Sequence, residues 1–346
     1  MVSTSSGPRG RGAGFNPANQ YQRFHYAETH LPETVDTKVY RDSSDSILAK
    51  NQSPDVPFTY SLNPYRGCEH GCIYCYARPS HEYLGFSSGV DFESRIVVKE
   101  NAPRLLKQRL QKSNWDPQPI CLSGNTDPYQ PLEQQLELTR GCLKVFERFK
   151  NPVSVITKNH RITRDLDLLS RLAEQNLVRV RISVTTLDRE LARIMEPRTS
   201  PPKKRLDAMK KLSSAGVSVG INAAPVIPGL TDHELPNLLE AGAEAGAKFA
   251  NYIIVRLPGS VEELFLEWLE QNLPDRKNKI LNQIRSIRNG KLSESRFGKR
   301  MKGEGTFGEF LEQIFQKQCR RLGLNERLDE LTTEAFSSEP DQRTLF

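Results

Sequence analysis

From Pro57 onward, short apolar runs alternate with helical patterns, and this predicts an α/β protein built on a parallel sheet. A second observation agrees with it: the loops after five of the apolar runs are polar or rich in Gly and Pro, as expected where parallel strands present a shared site at their C-terminal ends. A third is size. The 346 residues, of which 37% are hydrophobic, suffice for one large domain with appendages or for two modest ones. Periodicity alone leaves two architectures open, a doubly wound open sheet and a curved partial barrel.

Residues 1–55 are rich in Gly, Ser, Asn and Asp with little apolar periodicity, and are expected to form a disordered N-terminal arm. The strands expected next are Thr59–Asn63, Ile120–Ser123, Val153–Thr157, Val178–Val184, Val217–Asn222 and Asn251–Val255, with Ile96–Val98 as a short extra strand. Helices are predicted over Ala102–Gln111, Leu136–Phe149, Asp165–Gln175, Pro202–Ala215 and His233–Ala245. In the third of these, Leu166, Leu168, Leu169 and Leu172 fall near one stripe. After Pro258 the pattern is helical only, over Val261–Gln271, Lys277–Asn289 and Phe307–Leu322. The expected organisation is therefore an arm (1–55), a βα domain (56–260), a basic helical extension (261–336) and a frayed tail (337–346). Arg66–Cys68, Gly124–Asp127, Lys158–His160, Thr185–Asp188 and Asn222–Gly229 occupy the five strand ends.

Six cysteines are unevenly placed. Cys68, Cys72 and Cys75 fall within eight residues, whereas Cys121, Cys142 and Cys319 stand alone, which is not the pattern of a disulfide framework. The spacing Cys-x3-Cys-x2-Cys supplies three thiolates, enough to hold three irons of a [4Fe–4S] cubane and leave the fourth iron open. An open iron can chelate the amino and carboxylate groups of S-adenosylmethionine, whose reductive cleavage gives a 5′-deoxyadenosyl radical. The competing reading is a zinc site completed by His70 or His81, although a second Cys or His knuckle is missing from the sequence.

At these residues the sequence resembles the radical S-adenosylmethionine superfamily, and within it the branch related to spore photoproduct lyase. Asn63-Pro64-Tyr65-Arg66-Gly67-Cys68, Ser123-Gly124-Asn125-Thr126-Asp127-Pro128-Tyr129-Gln130-Pro131, the Arg9–Pro17 arm and Gly298-Lys299-Arg300-Met301-Lys302-Gly303-Glu304-Gly305 carry the resemblance across most of the chain. It implies a partial (β/α)6 TIM-type barrel with a helical C-terminal extension. It also implies that the segment Ser123, Gly124, Asn125, Thr126 and Asp127 takes the place of the superfamily's Gly-Gly-Glu, with the carboxylate displaced. Ser123, Lys158 and Ser183 resemble contacts to the methionine and ribose parts of the cofactor. Cys121 shares a strand face with Ser123 and could resemble the hydrogen-atom donor cysteine of the lyase; a small buried hydrophobe is the plainer reading.

The net charge of +7 is concentrated. Arg276–Lys302 holds ten Lys or Arg residues against Glu294 alone, a local balance of +9 that leaves about −2 elsewhere. Ile280, Ile284 and Ile287 would dock this segment and turn Arg285 and Arg288 outward, towards a DNA or RNA substrate. The expected activity is radical repair or modification of a nucleic acid, supported by an electron donor such as a flavodoxin or a ferredoxin. A protein or small metabolite as substrate is the alternative, and a non-catalytic iron–sulfur electron carrier is the alternative of another class. No apolar run approaches the roughly 20 residues of a membrane span, and a cytoplasmic location is expected.

Overall fold

The computed structural model describes residues 7–22 and 31–339. Its strands are β1 (Lys38–Arg41), β2 (Leu48–Lys50), β3 (Tyr60–Leu62), β4 (Tyr65–Arg66), β5 (Arg95–Val98), β6 (Ile120–Leu122), β7 (Val153–Thr157), β8 (Val178–Ser183), β9 (Ser218–Val226) and β10 (Phe249–Ile254). The main sheet runs β10-β9-β8-β7-β6-β3-β2. From β3 to β10 every pairing is parallel and follows chain order, with helices between the strands, which is the partial (β/α)6 barrel. Within this sheet β2 pairs antiparallel, on the edge beyond β3. A separate small sheet, β1-β5-β4, flanks the barrel mouth.

Strand alternation sorts the two faces. Val153 and Val155, Val178 and Val180, and Val219 and Ile221 are buried beneath the helices. The helix Leu235–Glu244 approaches so closely that a Cβ on Gly242 would lie 2.8 Å from the Ile221 side chain. The opposite face of the same strands carries Ser154, Ile156, Arg181, Ser183 and Asn222 and lines the barrel interior. Hydrophobic burial on the helix side therefore fixes register, because a slip of one residue would exchange the two sets.

The expected helices form within two residues of their predicted ends, except that the one expected over Lys277–Asn289 lies three residues earlier, at Pro274–Ser286. Leu138–Phe149, Leu166–Glu174 and Pro202–Ser214 bury Phe146, Leu169 and Met209 completely. The helix Arg189–Met195, capped by the Asp188 side chain, has no counterpart in the expectation. β9 outruns its predicted end by four residues, since Ala223, Ala224 and Val226 continue the extended, buried pattern.

The disordered arm expected over residues 1–55 differs from the structure in its described part. β1 and β2 lie within it, and Ala13 and Ile47 are buried. The extension is helical over Ser260–Asn272, Pro274–Ser286 and Gly305–Leu322. Beyond Leu322 the chain runs as a strap, tied by backbone bonds from Asn325 to Lys248, Thr332 to Asn176 and Ser337 to Phe149. The tail expected to fray from Ser337 is thus held at its first residue, and residues 340–346 lie outside the described ones. No helix among the described residues is long and apolar enough to cross a membrane.

Candidate functional site

The loop from Cys68 to Cys75 follows β4 and turns on two glycines in the left-handed region, Gly67 (φ 79°) and Gly71 (φ 66°). A Cβ on Gly67 would sit 2.9 Å from the Phe92 carbonyl, so the turn has room for glycine only. Cross-links from outside fix the loop. Cys68 N–H donates to the Phe92 carbonyl, Ile73 N–H to that of Met195, and the Arg78 guanidinium to that of Cys72. Arg78 is itself buried and neutralised by buried Glu93 at 2.5 Å.

All three cysteines of this loop are unbridged and line one cavity of about 570 Å³, a volume suited to a small ligand. Burial raises the pKa of the Cys72 thiol, with Glu196 adding to it, and burial likewise raises that of Cys75. A group that coordinates these sulfurs as thiolates would remove that cost, so the donor set suits a thiophilic iron–sulfur cluster. The zinc alternative fits less well. His70 spends its ring on Asp127 (3.4 Å) and Asn159 (3.1 Å), and His81 packs between Phe86 and Phe92. Among the described residues no three His, Cys, Asp or Glu side chains converge as ligands of one metal ion.

The strand ends supply the polar walls. Ser123 (φ 140°) and Gly124 (φ 109°) start a turn in which Asn63 Oδ1 accepts from the N–H groups of Asn125 and Thr126 at 3.1 Å each. The Asn125 side chain donates to Ser80, and the Thr126 hydroxyl to the Tyr65 carbonyl. Asp127 is committed to the scaffold: its carboxylate accepts from the Thr157 hydroxyl and Lys158 N–H, both at 2.7 Å, and from Tyr129 N–H at 2.8 Å. Burial opposes its ionisation, but His70 and these donors hold its pKa below the usual carboxylate value. It therefore anchors the wall and has little capacity left for a ligand.

Lys158 and Ser183 both face the cavity. The ammonium of Lys158 donates to the Ala224 carbonyl at 3.1 Å and lies 5.9 Å from the Tyr74 ring; burial lowers its pKa. Ser183 accepts from Asn222, a cavity residue on the next strand, at 3.3 Å. Behind them, buried Glu196 joins Tyr74, Thr185 and Arg205, and Arg205 donates to the Ser183 carbonyl at 3.0 Å. Cys121 is fully buried in β6, a layer below Ser123, beside Ser154. Burial pushes its thiol up to about 11. Cys142 is buried on a helix stripe, and so is Cys319.

Sequence reasoning placed Phe297, Arg300 and Met301 in the basic segment Arg276–Lys302 but not at the cavity, whose open side they help to line with Asn51, Ser53 and Arg256. They come from three segments far apart in the chain, and no local spacing links those segments. The outward turn expected of Arg288 is corrected: its guanidinium is buried and donates to the carbonyls of Val255, Lys299 and Arg300 at 2.9–3.1 Å. It sits just past the helix, where the chain bends back over β10. Much of the remaining +9 is paired with acids from elsewhere. Lys277 meets Glu270, Arg296 and Lys299 meet Glu304, Arg300 meets Asp55, and Lys302 meets Glu312.

The chain was compared with known proteins. The model of the radical SAM superfamily matches residues 62–242. An uncharacterised protein of Mycobacterium tuberculosis is 38% identical over 232 residues, which cover 66% of this chain and 68% of the relative. An uncharacterised protein of Methanocaldococcus jannaschii is 30% identical over 224 residues, covering 65% and 80%. Among solved structures, a spore photoproduct lyase mutant with bound AdoMet and dinucleoside spore photoproduct superposes with a TM-score of 0.57 at 16% identity, covering 83% of this chain and 80% of that one. That likeness extends to the fold. The family match runs from the end of β3 to the helix after β9 and so contains the three-cysteine loop and the ends of β6 to β9 that share its cavity: the chain belongs to the radical SAM superfamily.

Proposed function

We propose that this chain is a radical enzyme that holds a [4Fe–4S] cluster on Cys68, Cys72 and Cys75, binds S-adenosylmethionine in the adjoining cavity, and acts on a nucleic acid. When bound, the reduced cluster supplies the electron that cleaves S-adenosylmethionine to a 5′-deoxyadenosyl radical able to abstract hydrogen from a substrate. The observation that carries this reading is that the three thiols and the strand-end polar groups line one cavity.

The protein's own residues place and shield. Lys158 offers an ammonium to the cofactor's carboxylate, and the Ser123 and Ser183 hydroxyls serve its ribose and methionine parts. Gly124, Asn125 and Thr126 form the adjacent wall, which Asp127 fixes to β7. Cys121, a layer below, is a candidate hydrogen-atom donor whose thiol stays protonated at neutral pH. The nucleic-acid reading is supported by the shared fold with the lyase solved with a dinucleoside and by cationic side chains at the open side of the cavity. An electron donor such as a flavodoxin or a ferredoxin would complete the system.

The test is anaerobic reconstitution. The protein should take up about four irons and four sulfides, and should release 5′-deoxyadenosine when reduced with S-adenosylmethionine present. Cys68→Ala, Cys72→Ala and Cys75→Ala should each lose the cluster, while Cys142→Ala keeps it. Stoichiometric zinc without iron would end the radical reading, and a cluster that never cleaves the cofactor would make the protein an electron carrier.

A further inference from the structure

The cations of the cavity differ in how they are balanced. Lys158 lies deep, bonded to the Ala224 carbonyl. Arg300 is ion-paired to Asp55, bonded to the Ser53 hydroxyl at 2.6 Å, and stacked 4.5 Å from the Phe297 ring. Arg256, just beyond β10, faces the same cavity with no carboxylate within ion-pair reach among the described residues. Its Nε is buried without a hydrogen-bond partner, and its one polar contact is the Met301 sulfur at 3.9 Å. The Tyr76 ring lies 5.4 Å beneath the guanidinium. A half-buried guanidinium that lacks an acid, and stands near a second arginine, is costly unless an anion completes it. Burial and Arg300 act against its charge, and Tyr76 and Asp55 offset them only in part.

The surroundings indicate which anion. Phe297 is 57% exposed and Tyr76 49% exposed at this mouth; each carries an arginine over its ring, Arg300 and Arg256, and leaves further aromatic surface open to solvent. A carboxylate peptide has no general use for two such faces, whereas a nucleotide offers a phosphate and a flat base side by side. We propose that Arg256 is a phosphodiester subsite, and Phe297 a stacking face for the adjoining base, of a single-stranded nucleic-acid substrate. This rests on the nucleic-acid reading above and names the contact that would carry it. It also moves recognition from the helix Pro274–Ser286 to the cavity itself.

Fluorescence anisotropy with a labelled single-stranded oligodeoxynucleotide and the reconstituted full chain tests the assignment. Arg256→Gln should bind at least tenfold more weakly and lower the log–log salt slope by about 0.7, the value for one phosphate contact on a single strand. Arg256→Lys should fall between it and the native protein. Phe297→Ala should weaken binding of the normal strand and leave that of an abasic strand of equal length unchanged. Circular dichroism and iron content identical to native certify that each variant is folded. If the native protein binds the strand and Arg256→Gln matches it in affinity and slope, the subsite is wrong while the nucleic-acid reading stands. If the native protein cleaves S-adenosylmethionine yet binds no strand even at low salt, the nucleic-acid reading falls and takes this subsite with it. Binding of an acidic peptide that depends on Arg256 would reassign the cation to a carboxylate and overturn the phosphate.

Discussion

His70 holds a charge inside the protein. Burial disfavours the imidazolium, but Asp127, with Cys68 beside it, outweighs burial and pushes the pKa up to about 10. The ordinary value is 6.5, so the pair with Asp127 contributes its full stability below about pH 6.5 and loses it as the pH rises through about 10. The urea midpoint of the apoprotein should therefore fall across that window, and His70→Gln should flatten the decline. A native profile already flat there would mean that another cation balances Asp127. Lys158 and Ser183 carry a second expectation. Lys158→Ala and Ser183→Ala should each weaken S-adenosylmethionine binding by on the order of 1.5–3 kcal/mol, tenfold or more, with cluster absorbance preserved. Unchanged affinity in both would mean that other groups grip the cofactor. Cys121 yields a third: at a pKa of about 11 and with no exposure, it should resist iodoacetamide at pH 7 until the protein is unfolded. At this scale the sequence was legible where spacing is itself the signal, as for the three cysteines. The scaffold partners of Asp127 were not legible, because a carboxylate's partners, here Thr157, Lys158 and His70, are set by the neighbouring strand end and loop and not by its own motif.

Among the elements, the N-terminal arm departs most from expectation. Its glycines suggested disorder, yet they permit close approach. A Cβ on Gly12 would fall 1.8 Å from the Gly71 carbonyl oxygen, in the middle of the cysteine loop. The N–H groups of Gly12 and Ala13 donate to Glu93 at 2.8 and 2.9 Å, and Arg11 reaches the carbonyls of Glu93 and Val35. The arm thus completes the buried Glu93–Arg78 pair, which in turn holds the Cys72 carbonyl. Gly12→Ala should push the arm off the loop and shorten the lifetime of the cluster in air, measured by loss of visible absorbance. A lifetime equal to native would show that the arm is not a seal. Hydrophobic periodicity revealed the barrel strands and helices because each buries one face against the sheet. β1 escaped notice since all four of its residues are exposed. The helix Arg189–Met195 escaped because two turns leave little room for a period to show.

For the molecule as a whole, the surplus of ten cations over one acid between Arg276 and Lys302 was a true count and a poor guide to surface potential. Sequence distance hid Asp55, and Glu270 and Glu312 lie just outside the counted stretch; the fold pairs all three with this segment. What the segment does instead follows from Arg288. Its side chain ties the carbonyls of Lys299 and Arg300, in the loop at the cavity mouth, to that of Val255 after the last barrel strand. A further backbone bond, from Ile254 N–H to the Met301 carbonyl, lies alongside. The extension is thereby fixed to the open side of the barrel, where Phe297, Arg300 and Met301 line the cavity. Replacing Arg288 by Met would keep much of the side-chain volume and strand three carbonyls, each costing about 1–3 kcal/mol if it stays dry. Arg288→Met should therefore lower the unfolding free energy by at least about 2 kcal/mol. Arg285→Gln, at an exposed position on the preceding helix, should stay within about 0.5 kcal/mol of native. Chemical denaturation of the two variants side by side distinguishes a structural clip from a polyanion-binding face. Equal stability of both, together with a salt slope for nucleic-acid binding that falls with Arg288→Met, would return Arg288 to the surface role that its place in the sequence suggests.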